Sequence, residues 1–147
     1  MFKDFIEFRI SGEPEGKGRA RSTKGGIHYT PTKTRNHEAY IRMLATNGMI
    51  TPAGTKITPP TELPCEVNVI VWYSIPKSTS KKIRQQMIDG TVLPTKKPDC
   101  DNILKSILDA CNGVVFDDDK QVVKVSIEKH YGESAFTIVQ VKELKEV

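Results

Sequence analysis

Alternating apolar and polar positions predict two β-strands in the first half of the chain. Ile6, Phe8 and Ile10 recur with a period of two, which is typical of a strand with one buried face. A longer alternation covers residues 65–75 and ends at Pro76. Because it is the most regular alternation in the chain, we expect this strand to lie in the middle of a sheet.

The C-terminal region alternates in the same way twice. Residues 121–129 carry Val123 and Val125 on one side, and residues 135–141 follow after a turn at 131–134. Two strands joined by a short turn commonly pair with each other. The pattern therefore predicts a C-terminal hairpin.

Helical spacing predicts three helices between these strands. The first covers residues 32–47, the second follows a Ser/Thr-rich capping segment and ends near Gly90, and the third covers residues 101–112. The third is the most regular, because a continuous apolar stripe lies along it and a glycine at position 113 ends it. The positions expected to face inward are Tyr40, Met43 and Leu44, then Ile83, Met87 and Ile88, then Ile103, Leu104, Ile107, Leu108 and Cys111.

The order strand, helix, strand, helix, helix, strand, strand predicts an α/β (α+β) fold. We expect a mixed four-stranded sheet with helices mainly on one face. Residues 11–30 contain five glycines and many cations, which predicts a flexible basic loop, and the proline-rich segment 49–64 predicts another loop. A length of 147 residues fits one domain spanning 1–147.

Composition argues against several classes of protein. No apolar run approaches the roughly 20 residues that cross a bilayer, and the first residues do not resemble a signal peptide. Cys65, Cys100 and Cys111 form no C-x-x-C pair, so neither a disulfide framework nor a zinc knuckle is indicated. We expect a soluble protein of a reducing cytoplasm.

Charge is distributed unevenly around a net value of +4. Residues 1–60 hold ten Lys/Arg against five Asp/Glu, whereas residues 61–147 hold twelve against thirteen. Between positions 16 and 42, seven cations face only Glu38. Such a run is either a solvated surface or a site for nucleic-acid phosphates, and charge alone leaves both open.

Acidic residues form two segments. The first acidic segment, Asp99 and Asp101, stands at the start of the third helix, and the second, residues 117–119, is three consecutive aspartates in the turn before the next strand. Asp101 is a plausible N-cap, and an aspartate at a helix start often only caps it. Adjacent like charges need compensation, and convergent carboxylates select Mg²⁺ or Mn²⁺. A helix about 18 Å long separates the segments, so spacing alone does not establish that they meet.

Lys105 lies one helical turn after Asp101. Lys105 either forms a surface ion pair with Asp101 or serves as the cation that neutralises charge on a phosphate. Two other metal sites fit poorly: the acidic segments lack the glycine of a calcium-binding EF-hand loop, and Cys100, Cys111 and His130 have no recognised zinc spacing.

Three parts of the sequence form a specific signature. They are Lys97-Pro98-Asp99-Cys100-Asp101-Asn102-Ile103-Leu104-Lys105, then Leu108-Asp109 with Asn112-Gly113, then Asp118-Asp119-Lys120-Gln121-Val122. These residues closely resemble the signature of the RusA family of Holliday-junction resolvases. Segments 16–21, 29–31 and 75–78 look like the phage and prophage branch of that family, so the resemblance spans most of the chain.

The resemblance implies a homodimeric nuclease that cuts four-way DNA junctions by metal-assisted hydrolysis, with paired symmetrical nicks. It implies Asp99, Asp101 and Asp119 as catalytic ligands of Mg²⁺, which Mn²⁺ can replace, and Lys105 as the essential lysine. Asp118 matches an acidic neighbour that we also include among the metal-binding residues. The third consecutive aspartate departs from the family pattern and leaves the choice of third ligand open.

The expected role is recombination and repair in a bacterial or phage setting, with branched DNA as partner. The residues expected to bind DNA phosphates are Lys17, Arg19, Arg21, Lys24, Lys77, Lys81 and Lys82. Two alternatives remain. A non-catalytic DNA-binding protein would bind DNA regardless of Mg²⁺ without nicking it, and a Mg²⁺ phosphohydrolase of small phosphates would turn over nucleotides without cutting DNA.

Overall fold

The computed structural model describes residues 6–16, 21–22, 24–26, 28–29, 32–48 and 60–144. In chain order the elements are β1 (Ile6–Ser11), β2 (Arg21–Ser22), β3 (His28–Tyr29), α1 (Thr32–Gly48), β4 (Cys65–Ser74), α2 (Lys81–Ile88), α3 (Cys100–Cys111), a 3₁₀ turn (Asp119–Gln121), β5 (Val122–Gly132) and β6 (Phe136–Glu143). The predicted order of the main strands and helices is confirmed.

The main sheet is mixed and has four strands in the order β1-β6-β4-β5. β4 runs parallel to β5 and antiparallel to β6, which in turn pairs antiparallel with β1. The prediction that residues 65–75 form an interior strand is therefore confirmed.

The predicted C-terminal hairpin is wrong, because β5 and β6 lie on opposite sides of β4. The connection from β4 to β5 contains α2 and α3, and a helical crossover of this kind lets two strands pair in parallel. The turn after β5 passes the end of β4, where the Ile75 amide donates to the Gly132 carbonyl at 3.0 Å. Alternation shows which side of a strand is buried but does not identify its neighbour.

The core lies between one face of the sheet and helices α1 and α3. β1 contributes the predicted Ile6, Phe8 and Ile10, and the inward side chains of β4 are fully buried. Ile41 and Ala45 of α1 are also fully buried. The helices therefore cover one face of the sheet, as predicted.

Some apolar positions expected to face inward are exposed. Met43, Ile83 and Ile88 are exposed, and α2 contains no buried residue. Val123 and Val125 are exposed on β5, which is an edge strand. A helical or strand pattern shows which side chains share a face, but burial also needs an element to cover that face.

The predicted basic loop contains a short antiparallel pair, β2 with β3, which the glycine content did not indicate. Most of the second predicted loop, residues 49–59, lies outside the described residues. None of the helices in the described ranges is long and apolar enough to cross a membrane.

Candidate active site

The first acidic segment stands where α3 begins. Asp99 occupies the N-cap position with extended backbone (φ −66°, ψ 154°), and its carbonyl accepts from the Ile103 amide at 3.0 Å. The Asp99 carboxylate makes no capping hydrogen bond. Asp101 lies in the first turn of α3, so the prediction that it is the N-cap is wrong.

Both carboxylates of the first acidic segment are open to solvent. Asp99 and Asp101 are exposed, and neither side chain forms a hydrogen bond or an ion pair within the part of the chain that the structure describes. An exposed carboxylate without a protein partner keeps its oxygen lone pairs available to a ligand. Helix capping by their side chains therefore does not account for these two aspartates.

Lys105 lies on the polar face of α3, where its ammonium group is 3.2 Å from Asp109 Oδ1. The partner is the residue one turn later, because side chains four positions apart in a helix are neighbours. The ion pair with Asp101 considered above is not formed. The Asp109 side chain is only 14% exposed whereas that of Lys105 is 59% exposed, so the carboxylate is largely enclosed and the ammonium group remains accessible.

The second acidic segment is held by the side chain of Gln121. The Gln121 amide oxygen accepts from the Asp118 N–H at 2.9 Å, and its nitrogen donates to the Thr61 and Leu63 carbonyls at 2.9 and 3.0 Å. The Asp117 N–H donates to the same Thr61 carbonyl at 3.2 Å. One amide side chain thus fixes the acidic turn to a distant segment of the chain.

Asp119 points into a partly buried environment of mixed charge. Partial burial raises the pKa of its carboxyl group above the ordinary value, and a hydrogen bond with Asp118 and the negative charge of that residue raise it further. The positive charge of Lys105 lowers this pKa and the negative charge of Asp109 raises it. Asp119 therefore lies beside the polar face of α3 that carries both residues.

The structure thus brings Asp118 and Asp119 together with Lys105 and Asp109. Asp99 and Asp101 are not among the groups that shift the pKa of Asp119. Over the described ranges, no three His, Cys, Asp or Glu side chains are grouped so as to hold a metal ion. Asp101 is one turn of α3, about 5.4 Å along its axis, before Lys105. A shared metal site of Asp99, Asp101 and Asp119 stays a prediction.

The chemistry of these donors fits Mg²⁺ or Mn²⁺. The acidic segments offer only carboxylate oxygens, which hard cations prefer. The zinc alternative fits less well, since Cys111 is buried and burial raises the pKa of its thiol to about 12. A zinc site needs several ligands at one place, and among the described residues Cys100, Cys111 and His130 are not grouped in this way.

The cations predicted to bind DNA are partly outside the described residues. Lys17 and Arg19 lie outside them, and Arg21 is described only through its backbone in β2. The remaining four, Lys24, Lys77, Lys81 and Lys82, are exposed. Two of these lie in the first turn of α2, whose N-cap Ser80 accepts a hydrogen bond from the Ile83 amide.

Two residues of the site were not assigned a role from sequence. Asp109 pairs with Lys105, and Gln121 anchors the second acidic segment. The pairing of Asp109 with Lys105 could have been predicted, since Asp109 lies four positions after Lys105 on the same face of a predicted helix. Gln121 belongs to the signature, but its partners Thr61 and Leu63 are about 60 positions away in sequence.

Comparisons with known proteins identify a family and a relative of this chain. The sequence model of the family described as "Endodeoxyribonuclease RusA" matches residues 11–142. An uncharacterized protein of Bacillus subtilis (strain 168), YqaN, is 34% identical over 146 residues, which covers 96% of this chain and 98% of the relative. The matched range covers the positions of both acidic segments, Lys105 and Gln121.

Proposed function

The chain belongs to the RusA family of endodeoxyribonucleases, and from that premise we propose that it resolves Holliday junctions by paired symmetrical nicks, dependent on Mg²⁺, in DNA recombination and repair. The observation that supports this most directly is the position of Asp119 beside Lys105 and Asp109 on the polar face of α3. Carboxylates next to an accessible lysine provide what phosphodiester hydrolysis requires: cation ligands and a positive charge for the phosphate.

Asp99 and Asp101 would bind the divalent cation from the start of α3, and Asp119 would bind it from the facing turn, with Asp118 next to it. When bound, Mg²⁺ would supply Lewis acidity and lower the pKa of a coordinated water. The exposed carboxylates of Asp99 and Asp101 have no competing protein partner among the described residues. The like charges of Asp118 and Asp119 favour cation binding, since a cation would relieve their repulsion.

Lys105 would contact the scissile phosphate. Its ammonium group is accessible and is oriented by the less exposed Asp109 at 3.2 Å. A fixed cation at this position stabilises negative charge that develops on phosphate oxygens during hydrolysis. Asp109 is accordingly a positioning residue, because it acts on the substrate only through Lys105.

Exposed cations would bind the backbone of the junction. The exposed cations are Lys24, Lys77, Lys81 and Lys82. The basic loop also contains the cations Lys17, Arg19 and Arg21 in its sequence. Phosphate contacts release counterions, so we expect affinity to fall steeply with salt. Paired nicks need two equivalent sites, which a two-fold symmetric homodimer would supply.

The test compares cleavage of a four-way junction, a Y-shaped DNA and a linear duplex, with and without Mg²⁺, by the wild type and Asp101→Asn. We expect symmetrical nicks in the junction that require Mg²⁺. Losing a cation ligand removes several kcal/mol of transition-state stabilisation, so the variant should cleave at least about 10²-fold more slowly. The variant should still bind the junction.

Three results would overturn the proposal. Full Mg²⁺-dependent cleavage by Asp101→Asn would show that the site is wrong. Junction binding that ignores Mg²⁺ and gives no nicked product would indicate a non-catalytic DNA-binding protein. Nucleotide hydrolysis without DNA cleavage would indicate a phosphohydrolase of small phosphates.

A further inference from the structure

Lys129 of β5 forms two hydrogen bonds to the segment that precedes Asp99. Its ammonium group donates to the Lys96 carbonyl at 2.7 Å and to the Pro98 carbonyl at 3.0 Å. Both acceptors are backbone oxygens, so the contact does not depend on the side chains of that segment. Lys129 therefore ties the approach to the first acidic segment to the sheet.

The ammonium group of Lys129 lies above a buried aromatic ring. It is 5.4 Å from the centre of the Tyr73 ring, and the ammonium group of Lys96 is 4.8 Å from the same ring. Tyr73 is almost fully buried on β4, next to β5. Because a cation is attracted to an aromatic face and its hydrogen bonds strengthen away from bulk water, this location favours a fixed Lys129.

The residues that flank the first acidic segment are also packed from another direction. Gly16 packs so closely that a Cβ atom there would clash with the Asn102 side chain and lie 3.0 Å from Pro98 Cβ. Lys129 thus contacts the backbone before Asp99, while Gly16 packs against residues on both sides of the segment.

Two hydrogen bonds flank the backbone of Asp99. Lys129 binds the carbonyl of the peptide that leads into Asp99, and the Ile103 amide binds the carbonyl that leaves it. The Asp99 carboxylate itself is exposed and takes no part in capping α3. A fixed backbone combined with an exposed carboxylate that binds none of the described residues is the arrangement that a preorganised cation ligand requires.

We propose that Lys129 is a positioning residue that holds the 96–98 segment so that Asp99 and Asp101 are set for a divalent cation. This inference rests on the proposed function, because it concerns the same cation site. Lys129 acts through the Lys96 and Pro98 carbonyls and does not itself touch the cation or DNA. Removing its ammonium group should loosen the segment and weaken cation binding, while the donors themselves remain.

The chain contains a reporter for this segment, since Cys100 lies between the two aspartates and is partly exposed. Cys65 and Cys111 are buried, and burial raises the pKa values of their thiols to about 11 and about 12. They should react slowly with iodoacetamide in the folded protein, because alkylation requires an accessible thiolate. The alkylation rate of Cys100, followed by mass spectrometry, therefore reports on the first acidic segment without metal or DNA.

The variants are Lys129→Met, which removes the donors, and Lys129→Arg, which retains charge and donors. The matched control is Lys124→Met, since Lys124 lies on the same strand and pairs with Glu66 at 3.4 Å across the opposite face of the sheet. We expect Cys100 to react about fivefold faster or more in Lys129→Met, and at close to the wild-type rate in the other two. Loss of positive charge alone would slow the reaction, so faster alkylation reports greater access.

The second readout is Mn²⁺ binding to the DNA-free protein, measured by electron paramagnetic resonance. Removing a residue that orients metal ligands typically weakens binding about 10- to 100-fold, and we expect a loss in that range for Lys129→Met only. If Lys129→Met does not fold, Lys129→Leu, which also lacks side-chain donors, is measured in the same assays with the same expectations.

Unchanged alkylation of Cys100 in the folded Lys129 variant would overturn the inference. So would faster alkylation with unchanged Mn²⁺ affinity, because Lys129 would then hold the segment without affecting the cation. Failure of the proposed function looks different: the wild type would neither bind Mn²⁺ nor cut junctions, whereas the alkylation rates would still show whether Lys129 holds the segment.

Discussion

The two acidic segments, one at the start of α3 and the other beside its polar face, are held in different ways. Asp99 and Asp101 have exposed carboxylates. The chain beside them is fixed by hydrogen bonds that the Lys129 ammonium group and the Ile103 amide donate to backbone carbonyls. The second segment leads into the 3₁₀ turn and is held by the Gln121 side chain, and its Asp118 and Asp119 side chains share a hydrogen bond. The first segment's side-chain oxygens have no hydrogen bond to the described part of the chain, whereas the second segment holds two acids close together.

This difference suggests separate physical roles for the two segments. Exposed carboxylates can exchange water for a cation with little rearrangement where no hydrogen bond to the described residues must first break. Two acids in contact repel when both are ionised, which costs stability unless a proton or a cation intervenes. We expect the first segment to govern access of the cation, and the second to link cation binding to protonation and stability.

The largest expected effect separates the members of the second segment. Asp119→Asn should slow junction cleavage by about 10²-fold or more, because Asp119 lies beside Lys105 at the polar face of α3. Asp117→Asn is the matched control and should stay within about threefold of wild type, since Asp117 is exposed and its described contact is through the backbone amide. Single-turnover cleavage at saturating protein measures both.

If Asp117→Asn were inactive and Asp119→Asn active, the third cation ligand would be Asp117. Equal loss in both variants would mean that the segment acts through its total charge. Either result would contradict the role assigned to Asp119.

A smaller effect should distinguish the anchoring of the two segments. Gln121→Leu removes the acceptor of the Asp118 amide and leaves the Leu63 carbonyl with only the weaker Cys65 thiol donor at 3.4 Å. An unsatisfied amide in a partly buried site should cost about 1–3 kcal/mol of unfolding free energy. Gln140→Leu is the control, because the Gln140 amide donates to Glu7 Oε1 at an exposed position; it should cost about 0.5 kcal/mol or less. Urea unfolding measures both, and equal losses would show that Gln121 is no anchor.

Strand and helix patterns in the sequence predicted the parts of this fold that depend on local periodicity. Ile6, Phe8 and Ile10 are buried as expected, and α3 begins within one residue of its predicted start. The hairpin failed because pairing of β5 depends on the crossover through α2 and α3. The predicted burial of Ile83 and Ile88 was wrong because amphipathic spacing does not create an element that covers them.

Prediction of the site from sequence was limited in the same way. The spacing of Asp101, Lys105 and Asp109 along one helix could be read directly, whereas Gln121 acts on residues about 60 positions away. The role of Lys129 depends on the parallel register that sets it opposite Val71. Contacts between elements distant in sequence decide how the acids are held, and they follow from the tertiary fold.

The smallest expected effect concerns pH and follows from the raised pKa of Asp119. The folded protein binds the proton of the Asp119 carboxyl group more tightly than the unfolded chain does. The contribution of this proton to stability is therefore complete below the ordinary carboxyl pKa of 3.8 and is lost as pH rises through the raised pKa of the folded state. Asp119→Asn has no such loss. Its melting temperature relative to wild type should therefore increase as pH rises from about 3.5 to 7, with Asp117→Asn measured in parallel.

At neutral pH, Mg²⁺ should oppose the loss of stability that ionisation of Asp119 causes in the wild type. A ligand that binds only the folded protein raises its stability, so Mg²⁺ should raise the melting temperature of wild type more than that of Asp119→Asn. The two curves should approach each other in acid, where protons compete with the cation for the same carboxylate. If the melting temperature of Asp119→Asn follows that of the wild type at every pH, with and without Mg²⁺, then repulsion within the second segment does not affect stability. The two segments would then not differ in their physical roles.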